Sequence, residues 1–285
     1  MQGPNHIPGR GYCSAPIAIT VEGANIMTRT LMIFGQGATR SHPWALKVVE
    51  GAEAADVAAF RAGLLGWIGH FFAGIGRSLL HGLTRGWLVR VPDVHRDTRR
   101  YYRRLGWAAA RFGLLTDLAM FFVGGKLKAR GKLTGRFADA LAWQLFTISA
   151  LRRYEAEGRK SEDLPLVEYA CRHSLTQVQK AFEGIYQNFD APVIGLWMRT
   201  VGSWLLRLNP LSTAPHDSET TRCALAIQKP GEQYRRLTQD VFAPAEDQPG
   251  AGRLLRAWRL LSEAEPAIGK IATAQRAGRL PRGVT

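Results

Sequence analysis

The chain has 285 residues, of which 46% are hydrophobic and 21% charged, and this composition excludes an intrinsically disordered protein. The length allows one large domain or two smaller ones. Because the formal net charge is +15, the candidate partners include polyanions such as nucleic acid, anionic lipid or a phosphorylated ligand. Three cysteines without a CxxC pair exclude a disulfide framework and a thiolate metal site.

Two apolar stretches, residues 63–76 and 105–125, are candidates for membrane spans. The first is short and rich in glycine, and the second contains Arg111 and Asp117. A helical span needs about 20 mainly apolar residues, and a charge at mid-bilayer is costly. We therefore expect buried helices of a soluble protein at both places. The amino terminus lacks the regions of a signal peptide, so we expect a cytoplasmic protein.

Beyond the first 20 residues almost every periodic pattern is helical, so the predicted fold class is all-α, a helical bundle. Asn25 is a favourable N-cap for a helix that Gly35 and Gly37 are expected to end. The only run that resembles a strand is 17–21. The predicted helices cover 26–34, 54–85, 92–123, 136–157, 165–188, 193–208, 253–263 and 266–276.

Two of these helices carry apolar stripes that predict their buried faces. The side chains of each stripe recur at the spacing of one helix face. The stripe of 136–157 consists of Phe137, Leu141, Leu145, Ile148 and Leu151, and that of 165–188 consists of Val167, Cys171, Leu175, Val178, Phe182, Ile185 and Phe189.

A basic face is predicted on the helix that begins at Pro92. Its members share helical spacing and have two tyrosines between them: Arg96, Arg99, Arg100, Arg103 and Arg104, with Tyr101 and Tyr102. Such a face can bind phosphates, but no recognised nucleic-acid-binding module accompanies it. We favour a solvated face, or one that lies against an acidic neighbour, and predict no nucleic-acid partner.

No metal site is predicted from the seven histidines. Their positions include no HExxH or comparable zinc spacing. His70 and His81 lie on a glycine-rich helix without carboxylate or cysteine partners nearby in the sequence, so we expect packed or surface side chains.

Glu22 is a single carboxylate between an apolar extended run and a helix start. An apolar wall raises the pKa of a carboxyl group, whereas a helix N-terminus lowers it. A carboxylate in such a place suits general-base chemistry on a carbon acid. A lone glutamate before glycine is more often a loop residue, and the residues alone favour that interpretation.

A family resemblance favours the catalytic interpretation of Glu22 instead. Residues 19–29 (ITVEGANIMTR) resemble the motif around the catalytic glutamate of acyl-CoA dehydrogenases. The continuation 30–38, with Arg40, His42 and Pro43, is similar to the large bacterial members of fatty-acid β-oxidation, which carry a helical C-terminal extension. Stretches within 100–208, 229–237 and 264–266 also resemble that extension. The resemblance implies two domains: 1–45, the end of the dehydrogenase α-domain, and 46–285, the extension.

The resemblance also implies the site and its ligands. Glu22 would be the base that removes the α-proton of an acyl-CoA, with FAD as hydride acceptor and a trans-2-enoyl-CoA as product. Gly23 would contact the substrate. The residues implied to contact FAD are Gly3, Pro4, Ala24, Asn25 and Ile26. The implied partners are the acyl-CoA substrate and an electron-transfer acceptor protein, and a homo-oligomer is compatible with the family.

The chain begins about twenty residues before Glu22, whereas the family has a helical and a β domain ahead of this point. We therefore interpret it as the C-terminal portion of such an enzyme and expect no turnover or FAD retention by the chain alone. The alternative is a non-catalytic helical module that binds a membrane surface or a partner polypeptide.

Residues 193–208 raise the prospect of peripheral contact with the inner face of the plasma membrane. Basic residues opposite a Trp/Leu stripe are typical of a helix that lies among lipid headgroups. Packing on the 165–188 helix is the competing and favoured expectation. The predicted stripe consists of Ile194, Trp197, Met198, Val201, Leu205 and Leu208, with Arg199, Ser203 and Arg207 opposite and Trp204 as a second aromatic.

Overall fold

The computed structural model describes residues 7–17, 25–228 and 230–281, and within these ranges it contains helices and turns but no strand. The all-α prediction is confirmed. Most of the strand-like run, residues 18–21, lies outside the described ranges. Contacts divide the chain into two compact units, Gly23–Thr220 and a second unit of Met1–Glu22 with Thr221–Thr285. The domain boundary expected at residue 45 stays a prediction.

The larger unit is built from seven helices in the part that the structure describes. The first, α2, joins Asn25–Met27, π-helical Thr28–Gln36 and Gly37–Ser41. It is followed by α3 (Ala45–Glu53), α4 (Val57–Leu83), α5 (Arg99–Phe122), α6 (Gly131–Ala156) and α7 (Leu164–Gln187). The last, α8, joins Ile194–Trp197, π-helical Met198–Gly202 and Ser203–Leu208.

The second unit contains α1 (Ile7–Ser14), most of α9 (Asp217–Gln228), α10 (Glu232–Thr238) and α11 (Ala251–Arg276). Tyr234 and Trp258 pack with ring centroids 4.6 Å apart, and the indole of Trp258 donates to the carbonyl of Gln228. The prediction of two short helices at the carboxyl end is wrong. A single helix runs through Pro266, whose missing N–H removes one backbone hydrogen bond without ending the helix.

The core of the larger unit centres on the hairpin of α6 and α7. Phe137 and Leu151 of α6, with Leu175 and Phe182 of α7, are completely or almost completely buried. Gly158 adopts a left-handed backbone conformation with φ +90° after α6, which turns the chain into α7. The stripe predicted for 165–188 is buried in full, so that prediction is confirmed.

The stripe predicted for 136–157 is wrong in its middle. Leu141 and Leu145 are exposed, whereas Ala140, Gln144 and Thr147 are buried on the core face. The polar members of this face are satisfied within the helix, since Gln144 donates to the carbonyl of Ala140 and Thr147 to that of Trp143. Apolar periodicity cannot find a buried row made of small and internally bonded side chains.

The glycines expected to end the first helix do not end it. Gly37 has helical dihedral angles, and its N–H donates to the carbonyl of Met32 in a π-helical turn. The helix continues to Ser41 and ends at His42, which is extended. Gly35 and Gly37 do not have a positive φ, so both fit within the helix, which widens to a π-helical turn at this point.

The basic face also differs from its prediction. The helix begins at Arg99 rather than at Pro92, which leaves Arg96 outside it. Two of the remaining arginines make internal contacts: Arg100 pairs with Glu168, and Arg104 donates to the carbonyls of Pro210 and Leu211. The helix thus uses several of its arginines to hold neighbouring segments instead of presenting one uniformly solvated face.

Two helices, α4 and α5, are long and apolar enough to cross a membrane by length and composition. The most apolar window of α4 is only 11% buried within the chain and that of α5 is 33% buried. The expectation that 63–76 is buried is therefore wrong, since Gly63 and Gly74 are its only buried residues. Leu65, Phe72, Leu79 and Leu83 of α4 are exposed.

We predict that Phe137→Ala destabilises the protein by about 3–5 kcal/mol, because the ring is fully buried and its loss leaves a cavity. Urea-induced unfolding followed by circular dichroism measures the change. Phe146→Ala in the same helix is the control, since this ring is 57% exposed and its loss should cost far less. Equal losses for the two variants would contradict the assignment of the core face.

Candidate functional site

The site is built around α2, the helix that follows the sequence motif. Its anchor is Phe34, which is buried and stacks on Phe137 of α6 with centroids 4.1 Å apart and planes within 7°. Phe112 of α5 meets both rings edge-on. Aromatic contacts of this kind add to the free energy gained from burial alone. α2 is therefore held by the core that α5 and α6 form.

A second anchor is the ion pair between Arg29 of α2 and Asp139 of α6. The guanidinium donates through both Nε and Nη2 to the two carboxylate oxygens. The hydrogen bond to Asp139 raises the pKa of Arg29 above its usual value. Gly135 leaves room for the guanidinium, because a Cβ at that position would lie 2.7 Å from Arg29 Nη1 and the arginine would have to shift. The pair sets the rotation of α2 about its axis.

His42 joins α2 to α3. Its Nδ1 accepts the backbone N–H groups of Trp44 and Ala45, at 3.2 and 2.9 Å, and so satisfies donors at the start of α3. The ring of Trp44 lies against Gly66 of α4, where a Cβ would come within 2.4 Å of the indole. The turn between the helices is thus fixed by one imidazole and one close ring contact.

Asp117 of α5 lies at the centre of this arrangement with its side chain 1% exposed. Its Oδ1 accepts a hydrogen bond from the indole Nε1 of Trp67 at 2.9 Å and lies 2.9 Å from Nε2 of His42. Its Oδ2 lies 3.8 Å from Nε2 of His70. Burial is the main cause that lowers the pKa of His70, and the carboxylate opposes it. One buried carboxylate therefore contacts α4 and the α2–α3 turn.

His42, His70 and Asp117 also have the composition of a metal site, with ligand atoms within 4.8 Å of one another. The sequence argument that His70 lacks a carboxylate partner was wrong, because the fold supplies Asp117 from a distant helix. The donor set nevertheless does not fit a metal ion. Since Nδ1 of His42 accepts two backbone N–H groups, its proton is on Nε2, and that nitrogen has no lone pair to offer. The absence of a metal stays a prediction.

A cavity of about 600 Å³ lies beside this network. It is bordered by α2, α3 and the 3₁₀ turn Gly124–Ala129, with Gly35 and Trp67 among its walls. Arg40 and Lys128 supply positive charge and Glu53 supplies a carboxylate. A cavity of this size and mixed polarity is suited to a ligand or to a segment of another polypeptide.

The structure describes only part of the residues that the resemblance placed in the site. Gly3, Pro4, Glu22, Gly23 and Ala24 lie outside the described ranges. Asn25 is the first residue of α2 in the described part of the chain, and the side chain of Ile26 is 71% exposed. The roles proposed for these residues remain predictions.

Sequence reasoning missed the network of Asp117, His42 and Trp67. A signal was present, since Asp117 is a charge inside an otherwise apolar stretch, and such a charge requires a partner when it is buried. Its partners could not be identified because they lie 50 and 75 residues earlier in the chain.

Comparison with known families decides which proteins this chain resembles. The family model described as acyl-CoA dehydrogenase, C-terminal, bacterial type, matches residues 39–285. The chain belongs to this family. No solved structure matches the chain.

The match to the bacterial acyl-CoA dehydrogenase C-terminal family confirms the resemblance inferred from the sequence. It contains α3 to α11 and therefore His42, Trp67 and Asp117. Most of α2 and the segment around Glu22 precede it. The network thus lies within the matched residues, and His42 follows directly on the last residue of α2.

We predict that Trp67→Phe destabilises the protein by about 1.5–3 kcal/mol, because it removes the hydrogen bond to a buried carboxylate while retaining an aromatic ring. Thermal and urea unfolding measure the loss. Trp204→Phe is the matched control and should change stability by less than about 0.5 kcal/mol, since that indole is 61% exposed. A Trp67→Phe variant as stable as its control would show that the hydrogen bond between Trp67 and Asp117 does not stabilise the fold.

Proposed function

We propose that this chain is the C-terminal portion of an acyl-CoA dehydrogenase that converts a fatty acyl-CoA to a trans-2-enoyl-CoA in β-oxidation, with Glu22 as the base. The observation that carries the proposal is the attachment of α2 to the family domain through Phe34, Arg29 and His42. Glu22 precedes α2 by three residues in the chain.

In this proposal the protein's own residues have two tasks. Glu22 removes the α-proton of the thioester, and Gly23 leaves room for the substrate beside it. FAD, when bound, supplies the hydride acceptor. Pre-positioned donors near the thioester carbonyl would stabilise the enolate-like charge, which is usually a large term in such reactions.

The described residues fit an apolar contact with the flavin cofactor. Ile26, Met27, Met32 and Ile33 expose hydrocarbon on α2. Ile26 is 71% exposed and would contribute apolar contact through its side chain. Exposed apolar side chains on a helix that is anchored to the core through Phe34 support contact with a cofactor or with further domains of the enzyme. Gly3, Pro4, Ala24 and Asn25 are proposed as further FAD contacts.

We predict that Glu22→Gln abolishes dehydrogenation while FAD and acyl-CoA still bind. The test is a chimera in which the helical and β domains of a bacterial family member precede this chain, assayed with an artificial electron acceptor. Removal of a general base typically costs about 10²–10⁴-fold in rate. Glu50→Gln, an exposed glutamate on α3, is the matched control and should keep the parental rate. Undiminished turnover by Glu22→Gln would refute the assignment of the base.

The second candidate is a helical module that binds a membrane surface, and the exposed face of α8 favours it. Leu196, Val201, Trp204, Leu205 and Leu208 are exposed. The single apolar stripe predicted for this helix is wrong. The π-helical turn Met198–Gly202 has more residues per turn than an α-helix, which changes the side chains that share a face. The face that packs inward consists of Gly195, Met198, Gly202, Ser203 and Leu206.

Arg199 and Arg207 are exposed on the same helix, and the apolar side chains of α4 add further exposed hydrocarbon. Each arginine near an anionic leaflet contributes about 1 kcal/mol. Placement in the cytoplasm, on the inner face of the plasma membrane, is part of this proposal, and it is compatible with the enzymatic one because long acyl chains partition into membranes.

We predict that the protein co-sediments with anionic liposomes at low salt and dissociates as salt is raised. Trp204→Glu should reduce the bound fraction, because it places a charge on the face that would enter the headgroup region. Leu145→Glu on α6 is the control, since this side chain is equally exposed at 61%. The membrane proposal fails if the wild-type protein stays in the supernatant at low salt, or if both variants bind like the wild type.

A further inference from the structure

A second cavity, of about 250 Å³, lies among α4, α5, α7 and α8. Its walls are mainly aliphatic and aromatic, with Leu79, Leu83, Leu118, Trp197 and Leu205 among them. Trp197 and Leu205 are also exposed to solvent, so the cavity is open along α8. Among the described residues that border it, Arg111 is the only charged one.

Arg111 is unusual in its surroundings. Its Nη1 is buried and donates no hydrogen bond within the described structure. The guanidinium carbon lies 4.9 Å from the ring centroid of Trp107 and 5.9 Å from that of Phe182. Burial lowers the pKa of Arg111 and raises the pKa of Tyr186, and the nearby charge of Arg111 opposes only part of the latter shift. Ring faces offset only part of the cost of burying a charge.

Several other arginines of this unit have oxygen partners, although Arg103 Nε is also buried without one in the described structure. Arg29 pairs with Asp139, Arg172 pairs with Glu219, and Arg104 donates to two backbone carbonyls. Within the described residues the fold therefore supplies acceptors to several arginines and supplies none to Arg111 Nη1. A buried guanidinium of this kind favours an external anion, since ionic groups are usually paired when they are removed from water.

A second donor lies close by. The indole Nε1 of Trp107 is buried without a hydrogen-bond partner in the described structure. It lies 3.7 Å from the point where a Cβ on Gly82 would be, and Gly82 borders the cavity. Two unsatisfied donors and one unsatisfied acceptor, Asn209 Oδ1, thus lie at or next to the same apolar cavity of the described structure. The two donors indicate a ligand with acceptor oxygens and a hydrocarbon part.

We propose that this cavity binds the anion of a single-chain fatty acid, with its carboxylate on Arg111 and its chain running between α4 and α8 towards Trp197 and Leu205. A guanidinium matches a carboxylate in a bidentate geometry. One arginine neutralises a monoanion, whereas a phosphate dianion would remain charged in an apolar cavity. The cavity volume holds the carboxyl end and part of the chain, and the exposed side chains of α8 cover the remainder.

The test compares decanoate with decan-1-ol, which has the same chain length and no charge. Isothermal titration with the full chain, below the micellar concentration, should show one decanoate per protein and binding of the alcohol that is at least about 10-fold weaker. Arg111→Met should lower the affinity for decanoate by about 10–100-fold, because hydrogen bonds to a charged group are lost. Its affinity for decanoate should then equal its affinity for decan-1-ol. Arg111→Lys should bind with intermediate affinity, because it keeps the charge without the planar fork.

Arg207→Met is the matched control, since this exposed arginine on α8 does not border the cavity, and it should bind decanoate like the wild type. Equal affinity for decanoate and decan-1-ol would overturn the proposal, as would undiminished decanoate binding by Arg111→Met. Association with phosphatidylglycerol vesicles without saturable decanoate binding would also overturn it and would favour a membrane surface instead. If Arg111→Met does not fold, two other measurements test the proposal: the affinity of Arg111→Lys for decanoate, and the ratio of the wild-type affinities for decanoate and decan-1-ol.

Discussion

The larger unit depends on one buried carboxylate, that of Asp117. This side chain accepts the indole N–H of Trp67 in α4 and meets the imidazole of His42 at the end of α2. The same imidazole satisfies the first donors of α3. A buried charge without partners costs several kcal/mol, so the segments that supply those partners are held where the carboxylate requires them. Asp117 thus fixes α4 and the α2–α3 turn relative to α5 directly, and fixes α3 through the imidazole of His42.

The same principle governs the arginines of a strongly basic chain. A net charge of +15 indicates a surface for polyanions, yet several arginines serve internal contacts: Arg29 fixes α2, Arg100 joins α5 to α7, and Arg104 holds the chain after α8. Arg111 differs, because the residues that the structure describes place ring faces beside its guanidinium and no oxygen within hydrogen-bond distance of Nη1. Net charge therefore describes the sequence, whereas the distribution of acceptors in the fold distinguishes structural arginines from one that is suited to a ligand.

Exposed hydrocarbon on α2, α4 and α8 is the other feature that connects structure with function. On α2 it lies beside the motif that resembles the catalytic segment, on a helix whose opposite side is packed on Phe137. On α8 it accompanies two exposed arginines. A family of acyl-CoA dehydrogenases handles acyl chains, and apolar surfaces of this extent are expected where such a domain meets lipid, ligand or further polypeptide.

The sequence by itself determined the fold class, most of the helix positions, the buried stripe of α7 and the family. These follow from local periodicity and from motifs, which depend on neighbouring residues. Tertiary structure decided the buried face of α6, the continuation of α2 through its glycines, the exposure of α4 and the pairing of Asp117 with His42 and Trp67. Each of these depends on which distant atoms supply a hydrogen bond or exclude water, and residue spacing along one helix carries no information about atoms on another.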